Sequence, residues 1–276
     1  MSNSTPSMRY DSAAPRNRLL SEIRELYQYR DLILQLTIRN ITVRYKRSTL
    51  GILWTMLDPL LTMIVMAFVF TALLRRQVPH FPIYLLTGLT VWNYFAQATT
   101  SAMHDFVTSE RLVSKVYLPQ STFVIVASTT ALVNFLFSLV SLVLIALFTA
   151  VPLSLYSLTL IIPLAILTAF NLGIGLILAP LEALYSDISN IYGIFLRLLI
   201  YLSAIFYPID ILPGWLQTVV KINPVYQFID IFRNPIYRGT PIPLDSLVYT
   251  AILSVVLLIV GAAFFTRVSD DVAMML

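Results

Sequence analysis

The 276-residue chain is 58% apolar and only 12% charged, with a net charge of +4 and a mean hydropathy of +0.82. A soluble fold of this size would lack the polar surface to cover itself, so lipid replaces water around most of it. This excludes an ordinary cytosolic enzyme and a disordered chain. The absence of cysteine excludes a disulfide scaffold or thiolate metal site.

Residues 1–18 are rich in Ser, Asn, Pro and Arg and read as a disordered tail. Residues 19–49 alternate apolar positions at helical spacing with Arg39, Arg44, Lys46 and Arg47. The pattern predicts an amphipathic helix in the membrane interface, its charges near anionic headgroups. The alternative is a bare topology signal.

Six apolar stretches follow, bounded by about Leu50–Leu74, Ile83–Ala102, Leu118–Thr149, Leu155–Leu181, Ile188–Tyr207 and Leu247–Phe265. Each approaches or exceeds the roughly 20 residues that cross a bilayer, and none alternates like a barrel strand. The fold expected is all-α, with six transmembrane helices in one membrane domain over 50–266. Asp58, next to Pro59, and Arg197 are the charges within the spans. Either could be functional or snorkel to the interface.

Three polar stretches connect the spans or close the chain. Residues 104–118 form the main loop after the second span, long enough for a short helix ended by Pro119. Residues 208–238 contain two apolar pieces, Gly214 to Ile222 and Val225 to Ile236, punctuated by Pro213, Pro224 and Pro235. Neither piece can cross a bilayer, so two short external re-entrant helices, or a compact external loop, are expected. Residues 267–276 read as a short tail.

Twelve Lys and Arg fall on the side of the N-terminus, nine of them before the first span, against five on the other side. The positive-inside bias places both termini in the cytoplasm. His80 and His104 fall on opposite sides, so no metal centre is expected, and no P-loop motif provides for nucleotide hydrolysis. No compact basic domain is available for nucleic acid. Phe68, Phe70, Tyr84, Trp92, Tyr201, Phe206 and Tyr207 cluster in the outer halves of the spans, where rings either form interfacial belts or stack on sugar.

The run Arg39 to Trp54, continued by Asp58-Pro59-Leu60-Leu61, resembles the approach to the first span in ABC exporter permeases for cell-surface polysaccharides. Leu112 to Pro119 is similar to that family's loop before span three. Phe206-Tyr207-Pro208, Asn223-Pro224 and Phe232-Arg233 are similar to its external gate. The family comprises Wzm-type O-antigen, capsule and teichoic-acid permeases. The resemblance implies a homodimeric channel in the plasma membrane (the inner membrane of a Gram-negative cell). Two copies of a separate ABC ATPase, which binds the ATP and Mg, would sit beneath it and move a lipid-linked polysaccharide. This chain would hold no cofactor and catalyse no reaction.

The same resemblance implies that Glu110, Arg111, Leu112, Lys115 and Tyr117 couple to the ATPase. The seven aromatics would line the glycan path, and Pro213, Trp215, Pro224 and Tyr226 would belong to the external gate. Gln120-Ser121 and Ser186 depart from charges common in relatives, so ionic contacts there do not carry over. The alternatives are a permease for teichoic acid, capsule, drugs or small lipids, and an enzyme acting on prenyl-linked sugars. The enzyme would need paired carboxylates that the polar loops lack.

Overall fold

A computed structural model describes residues 25–46, 48–73, 78–113, 119–149 and 154–275. The predicted tail 1–18 and the start of the predicted interface helix, together with Arg47, Lys115 and Tyr117, lie outside the described residues. All regular structure among the described residues is helical. We number the helices α1 (Arg30–Tyr45), α2 (Trp54–Leu73), α3 (Phe81–Val113), α4 (Ser121–Phe148), α5 (Ile161–Leu184), α6 (Ile188–Leu199), α7 (Gly214–Ile222), α8 (Pro224–Arg233) and α9 (Leu244–Met275).

Four segments are long and apolar enough to cross a membrane: Gly51–Phe70, Ser121–Phe148, Leu155–Leu184 and Leu244–Val268. They coincide with the first, third, fourth and sixth stretches of the sequence. α3, which contains the second, differs in kind. It is the centre of the bundle, with Ile83, Leu85, Leu86, Val91 and Phe95 buried. Surrounded by protein, it tolerates polar side chains that a lipid-facing helix would not. Thr87, Thr99 and Thr100 bond back to the carbonyls of Ile83, Phe95 and Ala96 at 2.7–2.9 Å. The helix also continues unbroken to Val113, so most of the expected loop 104–118 is a helical extension.

The fifth stretch is corrected. α6 ends at Leu199 after 12 residues, about 18 Å and too short for a hydrocarbon core of roughly 30 Å. A 3₁₀ turn and then a left-handed Ala204 (φ 46°) follow, so Ile188 to Tyr207 is not one helix.

Pro59 sits within α2, which remains helical around it. A proline lacks the N–H that would bond the carbonyl four residues earlier. That carbonyl, of Thr55, instead accepts from Ser138 Oγ of α4 at 3.0 Å, and Ser141 Oγ donates to Met56 O at 3.3 Å. Two serines of one apolar helix thus dock the start of another. α5 and α9 meet through glycines. A methyl on Gly173 would lie 2.6 Å from the Leu257 carbonyl carbon, and one on Gly261 would collide with the Gly173 carbonyl.

The connections gather at two ends. At one, Asn40 of α1 meets Asp105 of α3 at 3.4 Å. At the other, Tyr237 donates to Pro79 O, Ser157 to Pro235 O, and Tyr249 to Ile222 O. α1 turns Ile33, Leu36, Thr37, Asn40 and Ile41 inward, and leaves Leu34, Ile38 and Val43 exposed beside Arg39 and Arg44. α9 runs on to Met275, so the expected C-terminal tail is helical there.

Candidate functional site

The break after α6 leaves carbonyls without helical partners, and inside an apolar bundle each must find a donor. They are satisfied by three distant side chains. Asn223 Nδ2 donates to Leu202 O (3.1 Å) and Ser203 Oγ (3.0 Å). Tyr84 Oη donates within reach of Ala204 O (3.2 Å) and Tyr207 O (2.8 Å). Arg233, only 1% exposed, donates to Ala204 O at 3.0 Å, Ile205 O at 3.1 Å and Tyr84 O at 3.3 Å. Its guanidinium carbon also lies 3.5 Å from the centroid of the Tyr84 ring. Asp230 is turned to Arg238 instead, at 2.9 Å. The buried cation is thus held by carbonyl dipoles and a ring face.

Local sequence explains the placement. Asn223 ends α7 and caps α8, its Oδ1 accepting from Val225 N at 2.9 Å, with Pro224 at the first helical position. Arg233 closes α8 two turns later. Gly88, one turn beyond Tyr84, makes room for it: a Cβ there would stand 2.8 Å from Arg233 Nη2.

Several predicted aromatics converge on this break. Phe81 joins Tyr84 and Phe70, Phe70 stacks on Phe206 at 5.7 Å, and Phe206 meets Tyr201 at 6.0 Å. Tyr207 bonds its hydroxyl to Tyr201 O. Tyr84 and Phe206 are buried within the chain. Trp92 is buried elsewhere, against Phe95. Phe68 and Tyr201 are exposed, at 81% and 63%. Of the expected gate residues, Pro213 and Trp215 are exposed at the start of α7, Pro224 is half-buried, and Tyr226 is buried under α8. Glu110, Arg111 and Leu112 fall in the last turn of α3.

A second feature lies toward the opposite end, where α1–α4 surround a cavity of about 520 Å³. Asp58 and Arg44 line it, with Thr90, Asn93, Gln97 and Asn134. Asp58 and Arg197 are both exposed and do not pair with each other. The sequence places Arg233 only within a gate-like motif and gives no sign of its burial, and the polar face of α3 lies within a stretch that hydropathy marks as apolar. A signal for the latter existed: Thr90, Asn93, Gln97 and Ser101 recur every three or four residues.

Among the described residues several helices present exposed apolar faces, α4 through Val140 and Leu147 and α9 through Ile252 and Ile259 among them. α2 exposes Leu61, Ile64, Val65, Phe68 and Val69, and α6 exposes Ile191, Ile194, Phe195 and Leu198.

Comparison with known proteins places this architecture. The ABC-2 type transporter family matches residues 31–237. The O-antigen export system permease protein RfbA of Myxococcus xanthus is 26% identical over 91% of this chain and 97% of its own length. Its namesake from Klebsiella pneumoniae is 26% identical over 86% and 92%. The polysialic acid transport protein KpsM of Escherichia coli is 23% identical over 83% and 90%. The family match extends from α1 through the hairpin of α7 and α8, and the chain belongs to the ABC-2 type transporter membrane family.

Proposed function

We propose that the chain is the membrane subunit of an ATP-driven exporter that moves a lipid-linked polysaccharide, of O-antigen or capsule type, from the cytoplasm across the plasma membrane. The observation that carries this reading is the alignment of polysaccharide-export permeases along 83% or more of the chain. Two copies pair to form the passage, and the exposed faces of α2 and α6 suit that pairing, since apolar surface of this extent seeks lipid or protein. Phe68 and Tyr201, exposed on or beside those faces, offer rings to the glycan.

Six crossings complete the topology. α3 supplies one, and α6 with the irregular segment behind it supplies another. α7 and α8 dip into the outer leaflet as re-entrant helices and gate the exit, and both termini lie in the cytoplasm. Two copies of a separate ATPase hold ATP and Mg and drive the passage. They dock at the projecting end of α3, where Glu110, Arg111 and Leu112 lead to Lys115 and Tyr117, with α1 alongside.

Disrupting the gene in its host is expected to strip the surface polysaccharide and leave lipid-linked polymer in the cytoplasm. The wild-type chain restores export. A chain whose residues 110–117 are replaced by a neutral linker neither restores it nor copurifies with the ATPase. An intact surface polymer with new drug sensitivity would overturn the reading in favour of small-molecule export.

A further inference from the structure

We infer that the cavity between α1, α2, α3 and α4 is a recognition site for the hydroxyl groups of a sugar unit in the exported glycan. The inference rests on the export reading and assigns its specificity to a particular place.

A volume of about 520 Å³ falls within the usual range for ligand pockets, roughly 300–1,000 Å³. Its walls are unusual for a membrane bundle. α3 turns Thr90, Asn93 and Gln97 to it, α4 contributes Asn134, and α2 contributes Asp58. Two of these groups are buried, and among the described residues Thr90 Oγ1 and Asn134 Oδ1 have no hydrogen-bond partner, at 2% and 5% residue exposure. Leaving such groups unpaired in a dry site costs on the order of 1–3 kcal/mol each. Both atoms are closed off in this arrangement, so a ligand's donors pair with them once the wall side chains rotate, whereas Asn93, Gln97 and Asp58 are not buried. Asn134 is held in place meanwhile, its amide donating to Gln97 Oε1 at 3.1 Å.

The chemistry of the walls selects the ligand. Amides, hydroxyls and a carboxylate accept and donate in turn, as the hydroxyls of a pyranose do. Trp54, 45% exposed, adds a ring face at the rim. A phosphate would meet the Asp58 carboxylate, with Arg44 as the one cation in the lining among the described residues. A bare cation would leave most of the volume empty. The position suits a path as well: Trp54, Asp58, Leu61, Val65 and Phe68 recur at alternating steps of four and three residues, one exposed stripe of α2 leading from the cavity toward the far end.

The test uses the full chain with its ATPase in lipid nanodiscs, in a Trp92→Phe, Trp215→Phe background that leaves Trp54 as this chain's tryptophan, with the ATPase alone as the blank. The probe is the oligosaccharide released by mild acid from the host's own surface polysaccharide. Saturable quenching is expected, about tenfold weaker in Thr90→Val and in Asn93→Ala, with no response to inorganic pyrophosphate or sodium. Export of polymer by the wild-type complex into vesicles is measured in parallel. Wild type that exports without binding the oligosaccharide overturns the cavity proposal, as do unchanged affinities in both variants or a stronger response to pyrophosphate. Binding without export overturns the export reading alone.

Discussion

The guanidinium of Arg233 lies 3.5 Å over the ring of Tyr84 and bonds the carbonyls of Tyr84, Ala204 and Ile205. One side chain thus joins α8, α3 and the irregular segment behind α6. A planar fork with five donors can bridge three carbonyls, whereas an ammonium is a point charge. Arg233→Lys is therefore expected to destabilise the chain by about 3 kcal/mol, because buried acceptors lose their donors. Thermal unfolding in detergent checks this. Gly88→Ala, which intrudes on the guanidinium, is expected to shift the transition in the same direction.

Tyr84→Phe separates the two roles of the ring. The face under Arg233 remains, while the hydroxyl that reaches Ala204 O and Tyr207 O is removed. The expected loss is smaller, about 1–2 kcal/mol. A loss as large as that of Arg233→Lys would mean that the hydroxyl dominates the network. Double-mutant analysis with Arg233→Lys resolves their coupling.

The hairpin of α7 and α8 was legible because Pro213 and Pro224 divide an apolar stretch into pieces too short to span. The shortening of α6 was not. Tyr201 to Tyr207 remain aromatic and apolar, so hydropathy continues across a backbone that has left the helix. What stabilises the break comes from Tyr84 and Arg233, themselves 149 residues apart in sequence, and no local pattern announces it. The cavity escaped for a related reason. Averaging hydropathy along α3 blends the face carrying Thr90, Asn93 and Gln97 with the face carrying Leu85, Leu89 and Phe95. The four segments long and apolar enough to span were legible, since in them composition and exposure agree.

Gly173 and Gly261 set the distance between α5 and α9. A methyl at Gly173 meets the backbone of Leu257 at 2.6 Å, which only separation of the helices relieves. Gly173→Ala is expected to cost about 2 kcal/mol or more and to lower the yield of folded protein. Gly193→Ala is the control. A methyl there meets nothing within 4 Å, and alanine's higher helix propensity makes the change neutral to stabilising. Equal losses at both positions would refute close packing as the cause.

Asp105, three residues past the second apolar stretch, meets Asn40 of α1. Burial raises its carboxyl above the ordinary carboxylate range, against the lowering effects of His104 and Arg44. For a carboxyl raised on folding, the folded state binds the proton more tightly, so stability falls as pH rises from the unfolded value toward and through the folded one. Asp105→Asn removes the penalty while keeping an acceptor for Asn40. It is expected to raise the unfolding temperature at pH 7, with the advantage vanishing near pH 4. A variant less stable than wild type at pH 7 would show that the charge contributes to holding α1.

The proposed pairing of two copies can be mapped because the chain contains no cysteine. Phe68→Cys on α2 and Ile194→Cys on α6, carried together on one chain, are expected to form a disulfide between copies in native membranes under mild oxidation. A disulfide requires Cα atoms within about 7 Å, so its formation reports proximity rather than mere exposure. Ile252→Cys on α9 is the comparison. At 61% exposure against 81% for Phe68 and 56% for Ile194, it is similarly accessible but lies outside the two faces proposed to pair. Cross-linking of the Phe68→Cys and Ile194→Cys pair, without any at Ile252→Cys, places the passage between the α2 and α6 faces. The reverse pattern would move the dimer contact to α9, and leave the stripe from Trp54 to Phe68 facing lipid rather than glycan.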